Sequence, residues 1–205
     1  MSELAQHATG YEAEPPEQMG RNLSSAAHLL ASATAFFFLA FVFAYLYLRS
    51  LNNAHLWHPK HVDPSLTLGT LVMALTVASA ALVRLGFGDH RAGRDSQWRL
   101  KGAVGLALGV AAVALQVVEW ATAGFGPADG GYASVFVGWT AFNVLFVFGT
   151  LWWLENLLAT AVRYRKLDRG DGRLSLLGPG LEALSFYWTF LAGLGVLAWI
   201  FLYLA

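Results

Sequence analysis

Five stretches of this chain carry no aspartate, glutamate, lysine or arginine: Ala26 to Leu48, Leu66 to Val83, Gly102 to Val118, Tyr132 to Leu154 and Ala183 to Ala205. A helix needs ~20 mostly apolar residues to cross a bilayer. The third run reaches that length by continuing past Glu119 to about Phe125. Five buried helices of a water-soluble fold would each need a polar face, and these runs have almost none. Composition agrees: 13% of the residues are charged and 57% hydrophobic, whereas charged residues make up about a quarter of ordinary soluble domains. The expected fold is an all-α integral membrane protein. It is a bundle of five transmembrane helices over 26–48, 66–85, 102–125, 132–162 and 181–205, forming one domain (26–205) behind a polar acidic tail (1–25).

Within that tail, Met1 to Arg21 holds Glu3, Glu12, Glu14, Glu17 and the pair Pro15-Pro16. It lacks the basic start and short apolar core of a cleavable signal peptide, and is expected to be partly disordered until a partner holds it. Connectors rich in Gly, Pro and charge separate the runs: Leu51 to Pro64, Gly86 to Lys101, Gly124 to Gly131 and Tyr164 to Gly180. They leave no room for a soluble domain. Orientation follows from basic residues near the membrane ends. Arg84, Arg91, Arg94, Arg99 and Lys101 flank the second connector, Arg163, Arg165, Lys166, Arg169 and Arg173 the fourth, and Arg21 precedes the first run. Only Arg49 and Lys60 fall on the other side. Eleven against two predicts the N-terminus in the cytoplasm and the C-terminus outside.

A net charge of zero gives no basic footprint for nucleic acid. The absence of cysteine excludes disulfides, cysteine-held iron–sulfur clusters, a cysteine-bridged copper pair and covalent c-type haem. An intramembrane haem or metal needs ligands inside the spans, usually histidine. His7, His55, His58, His61 and His90 lie in tails or connectors, His28 stands at the mouth of the first helix, and Met73 is the only methionine within a span. This chain is therefore expected to bind no haem or copper of its own. His55, His58 and His61, spaced in threes beside Asp63, suit zinc in ligand type. Pro59 and Pro64 break regular structure there, and polar loop residues facing headgroups or a partner are the plainer reading.

Ionisable groups inside a span are costly and mark functional sites by default. Glu119 is the clearest. The fourth helix returns antiparallel after Gly124–Gly131, which places Thr140 and the Trp139 indole at matching depth, with Gln116 and Asn143 one turn deeper on the same seam. Two readings of Glu119 stand: a group handling protons or lipid headgroups, and a polar clasp between the third and fourth helices. Glu182 is expected in the first turn of the fifth helix, where the dipole favours a carboxylate, and Glu155 close to arginines at a helix end. Arg49 and Arg84 cap spans, and Trp57, Trp98, Trp152, Trp153 and Tyr164 are expected in an interfacial aromatic belt. Gly105 with Gly109, and Ala74, Ala78 and Ala81, form small-residue steps that let helices approach closely.

Four local patterns recur in order along the chain. The first helix closes on Phe41-Val42-Phe43-Ala44-Tyr45-Leu46-Tyr47-Leu48-Arg49, and the third carries Leu115-Gln116-Val117-Val118-Glu119-Trp120. The fourth opens Tyr132-Ala133-Ser134-Val135-Phe136, and the fifth Glu182-Ala183-Leu184-Ser185-Phe186-Tyr187-Trp188. Together, from about Leu29 to Leu204, these resemble the cytochrome c oxidase subunit III family in its short bacterial form, with five helices instead of seven. The chain departs from the family at Ser32-Ala33, where a Ser-Glu pair is usual. It departs again at Phe142-Asn143-Val144-Leu145-Phe146, in place of two histidines, and at Trp188-Thr189-Phe190-Leu191-Ala192, in place of Trp-His-Phe-x-Asp. Acid-based roles attributed to those positions do not carry over; a scaffold role does.

The resemblance implies a non-catalytic subunit of an aerobic respiratory haem–copper oxidase in a bacterial plasma membrane. Such a subunit packs beside the haem-bearing subunit I, with subunit II as a further partner. It stabilises the catalytic subunit, holds phospholipid between its helices and shapes access for protons or oxygen. Haem and copper are implied in the partners. Two alternatives remain: the subunit III-like accessory protein of nitric oxide reductase, and a small transporter or channel. The last predicts midplane polar groups and broken helices, for which the spans offer little beyond Asn143 and Gln116 and no proline.

Overall fold

The computed structural model describes residues 15–52, 57–59, 61–166 and 174–204. Five helices are long and apolar enough to cross a membrane: α1 Pro16–Ser50, α2 Leu66–Arg91, α3 Asp95–Thr122, α4 Gly131–Arg163 and α5 Leu177–Trp199. A 3-10 turn at Pro127–Asp129 precedes α4, and a π-helical turn, Ile200–Leu204, prolongs α5. The chain is a multi-pass, all-helical membrane protein. Helices suit these runs because lipid offers no partner for backbone N–H and C=O groups, which an α-helix satisfies internally.

The helices outlast the apolar runs. α1 starts at Pro16, within the stretch expected to be tail. Proline serves well there, because its missing N–H is one that a helix start leaves unbonded. The rest of the tail, including His7, lies outside the described residues. α2 starts on the Ser65 N-cap, whose side chain accepts from the Leu68 N–H at 3.3 Å, and continues to Arg91. Only residues 92–94 separate it from α3, so the connector expected over Gly86 to Lys101 is mostly helix. Gly93 turns the chain there at φ 81°, a conformation that costs glycine little. α3 ends at Thr122, short of the expected Phe125.

One buried carboxylate holds that turn together. Asp89 is 3% exposed and accepts from Arg94 Nη2 at 2.5 Å and Lys101 Nζ at 2.5 Å. Removing one partner of a buried, hydrogen-bonded ion group leaves the other uncompensated, which is costly.

The helices form a closed ring. α1 packs on α5 and α4, α5 also on α2, α2 on α3, and α3 on α4, while α4 and α5 touch across the middle. The α2–α3 pair is the most intimate, and Gly105 explains it: a Cβ there would lie 3.1 Å from Val83 and 3.2 Å from the Ser79 carbonyl. Ser79 seals the junction, donating from Oγ to the Gly105 carbonyl at 2.6 Å and accepting from Trp188 Nε1 at 3.1 Å. Gly109 faces Leu151 of α4. The Gly105/Gly109 step is thus a contact on both neighbours. On the alanine step Ala74 and Ala81 are exposed and Ala78 half-buried, while α2 buries Gly69, Val72, Thr76, Ser79, Ala80 and Val83.

The α2–α3 and α4–α5 turns lie at one end of the bundle with the start of α1, as the closeness of Gly20 to Pro179 requires. This is the basic end. At the other end the Tyr132 N–H donates to the Trp57 carbonyl at 2.9 Å, tying the α1–α2 connector to α4.

Candidate functional site

Near the far end of α3, Glu119 is 1% exposed and its carboxyl is held from two sides. Gln116, one turn earlier, donates from Nε2 to Oε2 at 2.8 Å. The Tyr203 hydroxyl, from the π-helical turn, lies 2.8 Å from both carboxylate oxygens. The tyrosine ring reaches this position because Gly69 of α2 has no side chain; a Cβ at Gly69 would overlap it. One carboxyl therefore links α3 to the end of α5 across α2.

The Glu119 carboxyl meets neither Thr140 nor Trp139 of α4, the partners expected for it. Thr140 accepts from Trp120 Nε1 at 2.9 Å and donates to the Phe136 carbonyl at 2.7 Å. Gln116 meets Glu119 rather than Asn143, which is half-buried without a hydrogen bond to it. The Trp139 indole, fully buried, has no acceptor among the described residues. Successive residues are turned by about 100° on a helix of 3.6 residues per turn. Since Trp120 takes the α4 side, Glu119 faces α5.

Above Tyr203 opens a polar vestibule of about 1000 Å³ lined by Arg49, Asn52, His58, Asp63, Tyr132 and Tyr203, among others. Tyr132 donates its hydroxyl to the Leu202 carbonyl, fixing the π-helical turn against α4. The His58 ring stands edge-on to Tyr132, centroids 4.5 Å apart. Arg49 reaches the Tyr45 hydroxyl with Nη1 at 3.4 Å. His61 is exposed, and His55 lies outside the described residues. Among the described residues no three histidine, aspartate or glutamate side chains converge as a metal site would require.

Other expected positions fall differently. Glu182 is exposed and stands in the second turn of α5, because that helix starts at Leu177. The dipole's influence fades beyond the first turn. Arg84 is exposed and reaches Ser185 Oγ at 3.4 Å. Trp152 is exposed and Trp153 half-buried, as interfacial residues can be. Trp98 and Trp57 are instead buried: Trp98 packs against His90 beneath the Asp89 turn, and Trp57 between Tyr45 and Tyr132. His28 lies well inside α1, stacked on Phe186. Tyr203, Ser79 and Asp89 were not singled out from sequence; an Asp beside a basic cluster was the one available signal, for Asp89.

This arrangement can lock three helices together and keep one carboxyl out of solvent beneath an open, polar mouth. Comparison with known proteins gives the context. A family model described as cytochrome c oxidase subunit III matches residues 8–205. The chain is 28% identical over 196 residues to cytochrome c oxidase subunit 3 of Cyprinus carpio, covering 93% of this chain and 70% of that one. It is 29% identical to the protein of that name in Formosania lacustris, with the same coverage. To that of Struthio camelus it is 26% identical over 182 residues, 86% of this chain and 66% of the relative. It thus spans about two thirds of the length of these relatives.

Proposed function

The chain belongs to the cytochrome c oxidase subunit III family, and from that premise we propose that it is the non-catalytic third subunit of a haem–copper terminal oxidase. In this reading it packs beside a haem-bearing subunit I, with subunit II in the same complex. It stabilises the catalytic subunit, holds phospholipid, and shapes access for protons or oxygen. Haem and copper sit in the partners, in a bacterial plasma membrane. The observation that carries the reading is the family match over nearly the whole five-helix body. The basic end of the bundle, with nine of the ten described lysines and arginines, faces the cytoplasm, as the positive-inside rule favours.

The test is purification of the tagged full chain with its partners in mild detergent, followed by a reduced-minus-oxidised spectrum. Haem signals in stoichiometric amount are expected to co-purify. Clean preparations of the chain with companions that carry no haem overturn the reading.

Glu119 acts in this reading as a structural clasp. A glutamine at 119 keeps an oxygen for the Tyr203 hydroxyl, and the Gln116 amide can turn to present its own oxygen. Glu119→Gln is therefore expected to assemble and support turnover within about twofold of wild type, a loss under 1 kcal/mol. Glu119→Leu strands the Tyr203 donor and is expected to lower assembly. Oxygen consumption by the purified complex, set against subunit stoichiometry on a gel, separates the cases. A large loss of turnover in a fully assembled Glu119→Gln complex shows that the acid itself works.

A further inference from the structure

Beneath Tyr203, in the middle of the ring formed by α2, α3, α4 and α5, lies a cavity of about 30 Å³. Its wall is mostly apolar, but Thr76, Gln116, Thr140, Asn143 and Trp139 bring polar groups to its lining. Trp139 is 0% exposed, yet its Nε1 has no acceptor among the described residues. Another buried indole, that of Trp188, has one in Ser79 Oγ. A buried N–H left unmade is expensive, and native structures answer such groups with protein or with ordered water.

The chemistry of the wall narrows the occupant. Indole only donates, so what sits against Nε1 must accept, which rules out a cation. Asn143 and Gln116 bring amide oxygens that need donors. The occupant is therefore a small neutral molecule that both accepts and donates. Dioxygen accepts weakly and donates nothing. The space suits a single water, which needs about 10–15 Å³ of this measure and two to four polar partners.

A route is also present. Leu202 and Tyr203 line both this cavity and the vestibule above it, and no other residue is shared between the two linings. They belong to the π-helical turn, a local irregularity often found at functional sites. We propose that the central cavity is a water-binding site, with the water accepting from Trp139 Nε1, and that it exchanges with the vestibule past Tyr203. The inference concerns this chain alone and stands or falls separately from the identity of the complex.

The full chain, labelled with ¹⁵N-tryptophan and reconstituted in lipid bilayers, gives the test by water-edited solid-state NMR. The Trp139 indole signal is identified by its loss in Trp139→Phe; should that variant not fold, Asn143→Leu identifies it by a shift. Trp188 is the internal control, equally buried and bonded within the protein. Transfer from water to Trp139 is expected to be at least about tenfold faster than to Trp188, the mark of local solvent contact without global opening. Tyr203→Ala, with the chain still folded, is expected to speed it further. A Trp139 signal as slow as that of Trp188 overturns the water site. A rapid Trp139 signal unchanged by Tyr203→Ala overturns the route past the tyrosine.

Discussion

Trp188→Ala is expected to cost the subunit about 3–5 kcal/mol, the range for emptying a buried large aromatic site. The Trp188 side chain is 1% exposed, sits on α5 and sends its Nε1 to Ser79 of α2, which in turn bonds the α3 backbone at Gly105. One indole thus serves three helices. Two effects contribute, and they differ in size. A polar contact between membrane helices is worth only about 0.6–2 kcal/mol, so packing dominates. Trp188→Phe, which loses the hydrogen bond and keeps most of the volume, is accordingly expected to cost about 1 kcal/mol. Heating the detergent-solubilised subunit and measuring the fraction that remains monodisperse by size exclusion ranks the variants. Alanine as tolerable as phenylalanine would show that this junction does not organise the bundle.

Gly69→Val is the second substitution with a large expected effect. The added side chain meets the Tyr203 ring, which is walled in on its other side by Phe136, centroids 5.9 Å apart. Overpacking costs about 1–3 kcal/mol. Displacing the tyrosine also deprives the buried Glu119 carboxyl of a donor, a further loss of about 1.5–3 kcal/mol. A total near 3–5 kcal/mol is expected in the same thermal assay. The cause is checked by a double-mutant cycle. In a Tyr203→Ala background the collision is gone, so adding Gly69→Val should cost little more than the tyrosine change alone. Additive losses would mean that the glycine matters for some other reason.

How much of this was legible in the sequence depends on what lipid does to the signal. The five spans announced themselves, because charge is intolerable in hydrocarbon and its absence over long runs is easily seen. The ends were less visible: α1 reaches back to Pro16 and α2 on to Arg91, since a helix that leaves the bilayer may keep its hydrogen bonds in water and polar residues then say nothing about where it stops. Facing was hardest. In a soluble helix the polar stripe marks the outside, but lipid accepts apolar residues all round, so Glu119 could be placed in depth and not in azimuth. The pairing with Tyr203 was missed because it crosses from α3 to a π-helical turn that no pattern in Ile200–Leu204 foretells. The burial of Trp98 and Trp57 was not foreseen for a related reason: closeness to the membrane surface in sequence does not tell whether neighbouring elements fold over a ring. The small-residue steps show the same limit. Gly105 and Gly109 meet neighbouring helices closely while Ala74 and Ala81 are exposed, and composition alone treats them alike.

The ring order bears on how the protein is made. Synthesis runs from the N-terminus, yet α1 packs on α4 and α5, the last two helices to emerge. α2 and α3, separated by residues 92–94, can dock as soon as both have left the ribosome. The first helix finds no partner until α4 arrives, whose Trp139, Phe142 and Phe146 meet its Phe37, Phe38 and Phe41. A nascent chain arrested before Gly131 should therefore hold a finished α2–α3 hairpin and an unattached first segment, and quality control would meet the protein in that form.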